Sequence, residues 1–590
     1  MTAGRLPPGD GGRRLSPLDG QLDYPKELTE FLEGGRTGLR VFKSGPASQA
    51  LAAQALMARG RSVVLVSSGA REHRELAALL RLFLECGRRP GQEPDEDALV
   101  PWERPWTELP PYLPKRSEPD EWAARWAALY SLAYGSTPRA VLLTADNLLP
   151  RWPRPDLLRA NNLTLTRGDE MSPELIREQA ALWGYVSRPL VGAPGELAVR
   201  GDILDIYAPG YGLPLRLEFF GDTLEGVRLF DPSSQRSRAE LAEAVILPVA
   251  PGLYSGEHGQ SARAWWRKLK TTGEMGPAEE QALLEGAERV DGQVWPGLFW
   301  SDAVGIEAHL PPDAVWILSS ATDLRARLEE HVFSWREFLR RETEATGRRW
   351  PVRFLLRPEE TARQAYLHKP QLVFEDLTLG RDRDGAELPE QAVNAFADLF
   401  WKPEEQRRPW TALVNGLRGW ARSRRQTILS FRSERSRRKF LTLAAQDELP
   451  LSTEYSPEAR GLFALVSPLK KGFDLTWADL LVLAEDVLQP EPAAEGRRAS
   501  RDKPFEGLDR YDDLMEGDLL VHRDYGLARF GGLHRLSVGE AANDYLLLFF
   551  DKDDRLYLPV DRLNLVQRFK GPEGASPALD KLGGARWRSA

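Results

Sequence analysis

The period of the hydrophobic positions changes several times along this chain. Ser62 to Ser67 encloses the unbroken run Val-Val-Leu-Val, and Ala140 to Thr144 is a second such run. Strands that are apolar at every position are buried on both faces. Between and around them, Ser48 to Ala58 (rich in Ala, Leu and Gln), Ala70 to Cys86 and Asp120 to Ala133 carry apolar residues at helical spacing. Leu39 to Phe42 is a short apolar run, and Pro101 to Lys115 reads as a Pro/Trp-rich loop. Strands alternating with helices predict a parallel α/β sheet over Leu28 to Asp146.

From Asn161 the pattern changes to short alternating runs. Leu163-Thr164-Leu165 opens a strand, and Pro173 to Trp183 is a helix with Ser172 as N-cap and Pro173 at its first position. Glu196 to Arg200, Ile203 to Tyr207, Leu215 to Phe220 and Leu224 to Phe230 follow, separated by turns at Pro209-Gly210 and Gly221-Asp222. This predicts an α+β insert with an antiparallel sheet. Asp313 to Leu318 is again a buried strand followed by a helix from Ala321, which returns the chain to the first unit. Leu372 to Glu485 reads as a further α/β block, with strands at Thr427–Phe431, Leu462–Ser467 and Leu480–Ala484. Gln489 to Pro504, rich in Pro, Glu, Arg and Ala, reads as a flexible charged linker. Beyond it, from Glu516 to Val560, apolar and aromatic runs broken by Gly and Asp turns predict a small all-β module.

The expected fold class is therefore multidomain, α/β and α+β. Its segments are 25–150 (first α/β unit), 151–248 (insert), 249–360 (first unit, resumed) and 361–488 (further α/β domain). A linker at 489–506, the β module at 507–570 and a polar tail at 571–590 complete the division. A chain of 590 residues fits this, because single cores rarely grow past about 250–300 residues.

Composition narrows the function classes. A net charge of -8 argues against a dedicated nucleic-acid binder. The basic clusters at Arg422-Ser423-Arg424-Arg425 and from Arg432 to Lys439 read as a solvated helix face. The single cysteine, Cys86, excludes an internal disulfide framework and fits a reducing cytosol. Met1 to Gly20 is unlike a signal peptide, and no apolar run is long enough to cross a bilayer, so no membrane partner is expected.

Candidate chemistry is sparse. The position for a phosphate-binding loop is Lys43-Ser44-Gly45-Pro46-Ala47-Ser48, between a strand and a helix. It lacks the Lys-Ser/Thr pair at the helix start, and Pro46 removes a backbone N–H that a phosphate needs. No Gly-Lys-Ser/Thr occurs anywhere in the chain. The loop at Gly45 and Ser48 is thus expected to be a degenerate nucleotide loop that binds no ATP. No catalytic residue and no metal site is expected: seven histidines are scattered without ligand spacing. Ser67-Ser68-Gly69 follows a strand as a nucleophile does, but no base is evident near it in sequence. Arg188, Arg200, Arg216 and Glu218 lie on or beside the antiparallel strands of the insert. They are either ordinary solvated positions or a charged docking face, for which arginine's planar fork is suited. In the β module Phe530, Tyr545, Phe549, Phe550 and Tyr557 are expected to fill the interior. Leu533 and Leu536, near the turn at Val538-Gly539-Glu540, mark a strand tip suited to pairing with a partner sheet.

Several stretches resemble one family. Gly517-Asp518-Leu519-Leu520-Val521-His522, Tyr525-Gly526-Leu527-Ala528-Arg529-Phe530, Arg555-Leu556-Tyr557-Leu558-Pro559-Val560 and Leu579-Asp580-Lys581-Leu582-Gly583-Gly584 resemble the polymerase-interacting domain of the bacterial transcription-repair coupling factors. That domain is shared with CarD-type regulators and is a Tudor-like barrel. Pro101-Trp102-Glu103, the run from Gly195 to Tyr207, Arg216 to Asp222 and Phe230 to Arg236 resemble the same family's UvrB-like module. The resemblance implies a UvrA-binding role for Arg188, Arg200, Arg216 and Glu218. It implies contact with the RNA polymerase β subunit for Arg529, Phe530, Leu533 and Leu536. It also implies a degenerate, P-loop-like first unit. In the family a motor that uses ATP and Mg follows the Asp-Lys-Leu-Gly-Gly stretch and makes most of the DNA contact. The chain stops at Ala590, so the expectation is a portion without motor, enzyme activity or cofactor of its own. The alternatives are a UvrB-like ATP-dependent damage-recognition subunit and a CarD-like transcription regulator.

Overall fold

A computed structural model describes residues 24–86, 102, 104–114, 119–135, 138–232, 234–250, 252–253, 256–289, 296–375, 385–393, 409–423, 425–456, 459–467, 469–488, 518–522, 526–538, 541–551, 554–559 and 566–568. The linker expected at 489–506, the tail at 571–590 and the turn residues Gly539 and Glu540 lie outside the described residues. The chain forms two compact units, divided at Glu491 and Pro492.

The first unit is built on a seven-stranded sheet in which every neighbouring pair is parallel. Its spatial order is Gly385–Glu387, Gly38–Phe42, Gln371–Glu375, Val315–Ser319, Val63–Ser67, Ala140–Thr144 and Trp106–Glu108. Alternate residues of its central strands feed different cores, as the period of two requires. Val63, Leu65, Val315 and Ile317 point into one, and Val64, Val66, Trp316 and Leu318 into the other. That is why these strands are apolar at every position.

Two expectations are corrected here. The loop expected at Pro101–Lys115 contains the edge strand Trp106–Glu108, which at three residues is too short to show a period. The residues from Leu372, expected in the further α/β block, instead place Gln371–Glu375 and Gly385–Glu387 in the first sheet. Sheet order does not follow sequence order, so a local reading assigns these strands to the nearer neighbours in sequence.

A second sheet of six strands has the order Glu390–Val393, Gly472–Leu475, Leu480–Ala484, Gln426–Phe431, Gly461–Val466 and Leu451–Ser452. The helices Pro46–Ala58 and Ala70–Cys86 share a single core with residues of both sheets, including Ile428, Phe463, Phe473 and Val482 of the second. Every residue from Ala47 to Met57 is buried. A helix without a polar face is stable only when covered all round, and here two sheets cover it. The second sheet's other face packs on Pro409–Ala421 and Glu434–Gln446.

The insert carries a six-stranded sheet ordered Ser237–Glu240, Thr223–Phe230, Leu215–Phe220, Ile203–Ile206, Glu196–Arg200 and Val186–Ser187, antiparallel except for the last pair. Leu163–Thr166 and Glu243–Ile246 pair with each other, so the insert's first and last strands lie side by side. The helix Pro173–Leu182 starts as expected: the Ser172 hydroxyl accepts from the Glu174 N–H at 3.2 Å. Replacing Ser172 with Ala is expected to cost about 1 kcal/mol, read as a small shift in the urea midpoint with unchanged slope. The helices Gly256–Thr271 and Pro277–Arg289 were not legible as elements in the sequence.

The second unit is an antiparallel five-stranded sheet ordered Arg555–Pro559, Ala541–Phe549, Gly526–Val538, Leu519–His522 and Val566–Arg568. Leu520, Ala528, Phe530, Leu546, Leu548 and Phe550 are among the residues of its core.

Candidate docking sites and a closed helix N-terminus

The strand Gly38–Phe42 leads through Lys43-Ser44-Gly45 into the helix Pro46–Ala58, the placement a phosphate loop would have. Lys43 turns away in a left-handed conformation (φ 58°), and its ammonium pairs with Glu387 at 2.8 Å. The helix start is already occupied by an anion from the chain itself. One oxygen of Glu390 accepts from the N–H of Gly45 (3.0 Å) and of Ser48 (2.8 Å) and from the Ser48 hydroxyl (2.9 Å). Its other oxygen accepts from the Ala47 N–H at 3.1 Å. Helix N-termini attract anions through these unpaired donors and the helix dipole. A side chain at Gly45 would meet this carboxylate at 2.5 Å, which is why glycine stands there. Burial raises the Glu390 carboxyl above its ordinary range, and the four hydrogen bonds oppose that rise. The loop does not fit a nucleotide phosphate: its donors are taken, Pro46 offers none, and no lysine follows the glycine. Nothing local to Gly45 announced Glu390, some 345 residues away in sequence.

Ser67 does have a base nearby. His73 Nδ1 lies 3.4 Å from the Ser67 hydroxyl, and His73 Nε2 lies 3.2 Å from Glu108. The absence of a base, as read from the sequence, is therefore corrected; the third member comes from the strand that was read as a loop. Ser67 is fully buried and also donates to the Leu143 carbonyl at 3.4 Å. The three residues form a polar tie between the sheet and the helix Ala70–Cys86. Among the described residues there is no cluster of three His, Cys, Asp or Glu that could hold a metal ion. No described helix is long and apolar enough to cross a membrane.

The insert's sheet brings three of the four candidate residues onto one face. Pairing aligns Arg200, Ile203 and Glu218 in one cross-strand row and Ala198, Asp205, Arg216 and Arg228 in the next. The opposite face holds Leu197, Leu204, Leu215, Leu217 and Phe219 in the core. Arg216 grips Asp205 in a two-pronged pair (2.7 and 2.9 Å), bonds Gln235 at 3.0 Å and lies over the Phe230 ring at 4.3 Å. Its guanidinium pKa is raised, first by the hydrogen bond to Asp205. Glu218 accepts from Arg228 at 3.0 Å. Arg200 donates to the Pro189 carbonyl at 2.8 Å, and Arg188, beside the short edge strand Val186–Ser187, lies 3.4 Å from Glu196. The face is thus a pre-organised lattice of ion pairs. At its end stands Phe220, 76% exposed, which the sequence reading did not single out. Strand alternation carries the signal: Phe220 follows Arg216 and Glu218 at a spacing of two.

In the second unit, Leu519–His522 pairs only with residues 526–529 of the long strand, and Arg555–Pro559 pairs only with 545–549. The hairpin arm formed by 533–538 and 541–544 therefore has no third strand in register beside it among the described residues. Leu533 and Leu536 lie on this arm, paired with Leu546 and Asn543. A bulge at Gly531-Gly532 sets the arm off from the body of the sheet. Gly532 has φ 99°, and a side chain on Gly531 would meet the Phe549 ring at 2.2 Å, so both positions require glycine. Arg529 is exposed, and Phe530 is buried in the module's core, as expected of its interior aromatics, so its ring does not face the surface that the resemblance implied for it.

These features define a multidomain α/β chain with an ion-paired sheet face in one unit and, in the other, a hairpin arm with no third strand beside it among the described residues. Residues 163–251 match the family described as UvrB interaction domain, a span running from the insert's first strand to just past its last. Residues 514–570 match the CarD-like/TRCF RID domain. Across most of its length the chain is similar to proteins named transcription-repair-coupling factor. It is 27% identical to that of Myxococcus xanthus over 78% of the chain and 40% of the relative. It is 28% identical to that of Escherichia coli K12, over 82% and 42%. The Mycobacterium bovis protein is also 28% identical, over 97% and 48%. The chain spans less than half the length of these relatives.

Proposed function

We propose that this chain serves transcription-coupled excision repair as a two-ended adaptor, docking on RNA polymerase through the hairpin arm and recruiting UvrA through the face of the insert. The observation that carries this is the presence of both matched domains on one chain. Linking two docking sites raises the local concentration of one partner at the other without any new contact. On the insert, Arg188, Arg200, Arg216 and Glu218 form the charged part of the UvrA face, and exposed Phe220 is its apolar anchor. An exposed aromatic beside organised ion pairs has the make-up of an interface hot spot. On the second unit, Arg529 and the strand bearing Leu533 and Leu536 meet the polymerase β subunit, with the arm's open edge available for strand addition. The five-stranded sheet is, on this reading, a Tudor-like barrel.

The first unit is read as a P-loop-like scaffold in which Glu390 has replaced the phosphate. The chain then needs no cofactor and is not itself an enzyme; ATP, Mg and most DNA contact belong to a motor outside these residues. The setting is the cytoplasm. Purified chain on beads tests the reading: it is expected to retain both UvrA and the polymerase β subunit, and retention of neither overturns it. Measurable ATP turnover by the chain favours the UvrB-like enzyme instead. Phe220→Ala is expected to weaken UvrA capture about tenfold, with an unchanged melting temperature because the ring is exposed. Undiminished capture removes Phe220 from the interface.

A further inference from the structure

The second sheet of the first unit presents a concentrated basic edge that neither docking site uses. Its strands Gln426–Phe431 and Gly461–Val466 run parallel in register, so their C-terminal ends open onto the same edge. The Ser467 N–H donates to the Phe431 carbonyl at 2.7 Å, and exposed Lys470 and Lys471 precede the strand Gly472–Leu475, whose antiparallel pairing with Leu480–Ala484 starts it at this same end of the sheet. That helix buries Phe440 and Ala444 and turns Arg435, Arg438 and Lys439 to solvent. At 1.5 Å rise per residue these three span about 6 Å along one face. The helix N-terminus, capped by Ser433, adds partial positive charge to the same edge.

Some of this charge is matched internally. Glu434 pairs with Arg437 and Arg438, Asp486 pairs with Arg432, and Glu485 accepts from the Arg432 N–H at 2.9 Å. Among the described residues no side-chain bond engages Arg435 or Lys439, and residues 432–439 hold five basic side chains against one acidic one, in a chain of net charge -8. Buried polar atoms near this edge also lack partners: the Ser467 hydroxyl, on a residue 4% exposed, and Arg437 Nε. An acidic chain gains nothing in solubility from such a local excess, whereas a polyanion with regularly spaced charges matches it.

We infer that the edge formed by the helix Glu434–Gln446 and the Lys470-Lys471 loop is a duplex-DNA backbone contact, independent of sequence, in which Arg435 and Lys439 each neutralise a phosphate. Arg438 supports them from the same face. The inference does not depend on the proposed partners, since DNA binding and protein capture are measured separately.

The test is fluorescence anisotropy of a labelled 30-base-pair duplex of arbitrary sequence, titrated with the whole chain between 50 and 200 mM salt. Wild-type chain is expected to bind at low salt and to weaken as salt rises. Charge reversal at Arg435 and Lys439 (R435E/K439E) is expected to lower affinity at least tenfold. The neutral pair R435Q/K439Q is expected to reduce the salt slope by about 2. A reversal of equal charge on the exposed residues Arg263 and Arg267 of another helix is expected to leave affinity within twofold. Four results overturn the inference: no binding by wild type at 50 mM salt, unchanged affinity in R435Q/K439Q, equal losses at both sites, or displacement of the DNA by polyglutamate at equal charge concentration, which assigns the edge to an acidic peptide. Thermal melts of each variant separate lost contact from lost fold, and the glutamine pair serves if the glutamate pair unfolds.

Discussion

Replacing Asp146 with Ala is expected to destabilise the first unit by about 2–3 kcal/mol, the cost of leaving the buried His331 N–H without its acceptor and half-buried Arg327 with one carboxylate instead of two. Asp146 follows the strand Ala140–Thr144 and is 1% exposed. One of its oxygens accepts from His331 Nδ1 at 3.0 Å and from Arg327 Nε at 3.1 Å, and the other accepts from Arg327 at 3.2 Å. His331, itself 1% exposed, accepts at Nε2 from the Trp335 indole N–H at 3.0 Å. That leaves the Nδ1 N–H to donate to Asp146. The cluster ties the 26-residue helix Ala321–Thr346 to the end of the sheet. Removing the carboxylate leaves the buried His331 N–H without its acceptor and Arg327 with Glu330 alone.

The pH dependence of this effect has a definite sign. Burial by itself raises the Asp146 pKa, but the hydrogen bonds from His331 and Arg327 and the charge of Arg327 outweigh it, and the net shift is downward. A carboxyl lowered in the folded state contributes stability that is fully present above its unfolded pKa, near 3.9. That contribution is lost as pH falls through the lower folded value. Urea melts of Asp146→Ala and wild type should therefore differ most at neutral pH and converge below about pH 4. Parallel curves down to pH 3 reject the charge-based account and leave only lost packing.

The second large effect is expected at Glu390. Glu390→Ala removes the acceptor of three backbone N–H groups and one hydroxyl at the start of the helix Pro46–Ala58. The cost is about 2 kcal/mol, the upper end for losing a helix N-terminal cap. Here the sign is opposite to that of Asp146. Burial raises the Glu390 pKa despite the opposing hydrogen bonds, so the folded state disfavours its ionised form. Its contribution is most favourable below the unfolded carboxyl pKa and declines as pH rises through the raised folded value. Glu390→Gln keeps an acceptor oxygen without the charge and is expected to be milder than Glu390→Ala, flattening the stability profile between about pH 4 and 7. Neither variant is expected to gain ATP affinity by calorimetry, because the loop still lacks a lysine at the helix start and still contains Pro46. Tight ATP binding by Glu390→Ala would show that the carboxylate alone keeps the nucleotide out.

Much of the candidate docking chemistry was legible in the chain because strands announce their faces. The spacing of Arg216, Glu218 and Phe220 puts all three on one side of Leu215–Phe220, and the apolar residues between them on the other. What that spacing leaves open is whether each side chain is free. Arg216 is fastened to Asp205 and Gln235, and Phe220 is bare. Phe530 shows the reverse: beside the exposed Arg529, alternation turns its ring into the core.

The sequence alone determined many of the elements, though not the helices Gly256–Thr271 and Pro277–Arg289 or the short strand Trp106–Glu108. Helices and buried strands follow from residues a few positions apart, so the helix Ala70–Cys86 and the strand Ala140–Thr144 stand where their patterns put them. It determined, too, that Lys43–Ser48 lacks the residues of a nucleotide loop. The tertiary structure decided what meets across distance: that Gln371–Glu375 enters the first sheet, that two sheets enclose one helix layer, and that Glu390 and His331 close on Gly45 and Asp146. Those pairings are set by which surfaces bury the most apolar area together and by where a desolvated charge finds its donors. Neither condition leaves a mark on the residues adjacent in sequence.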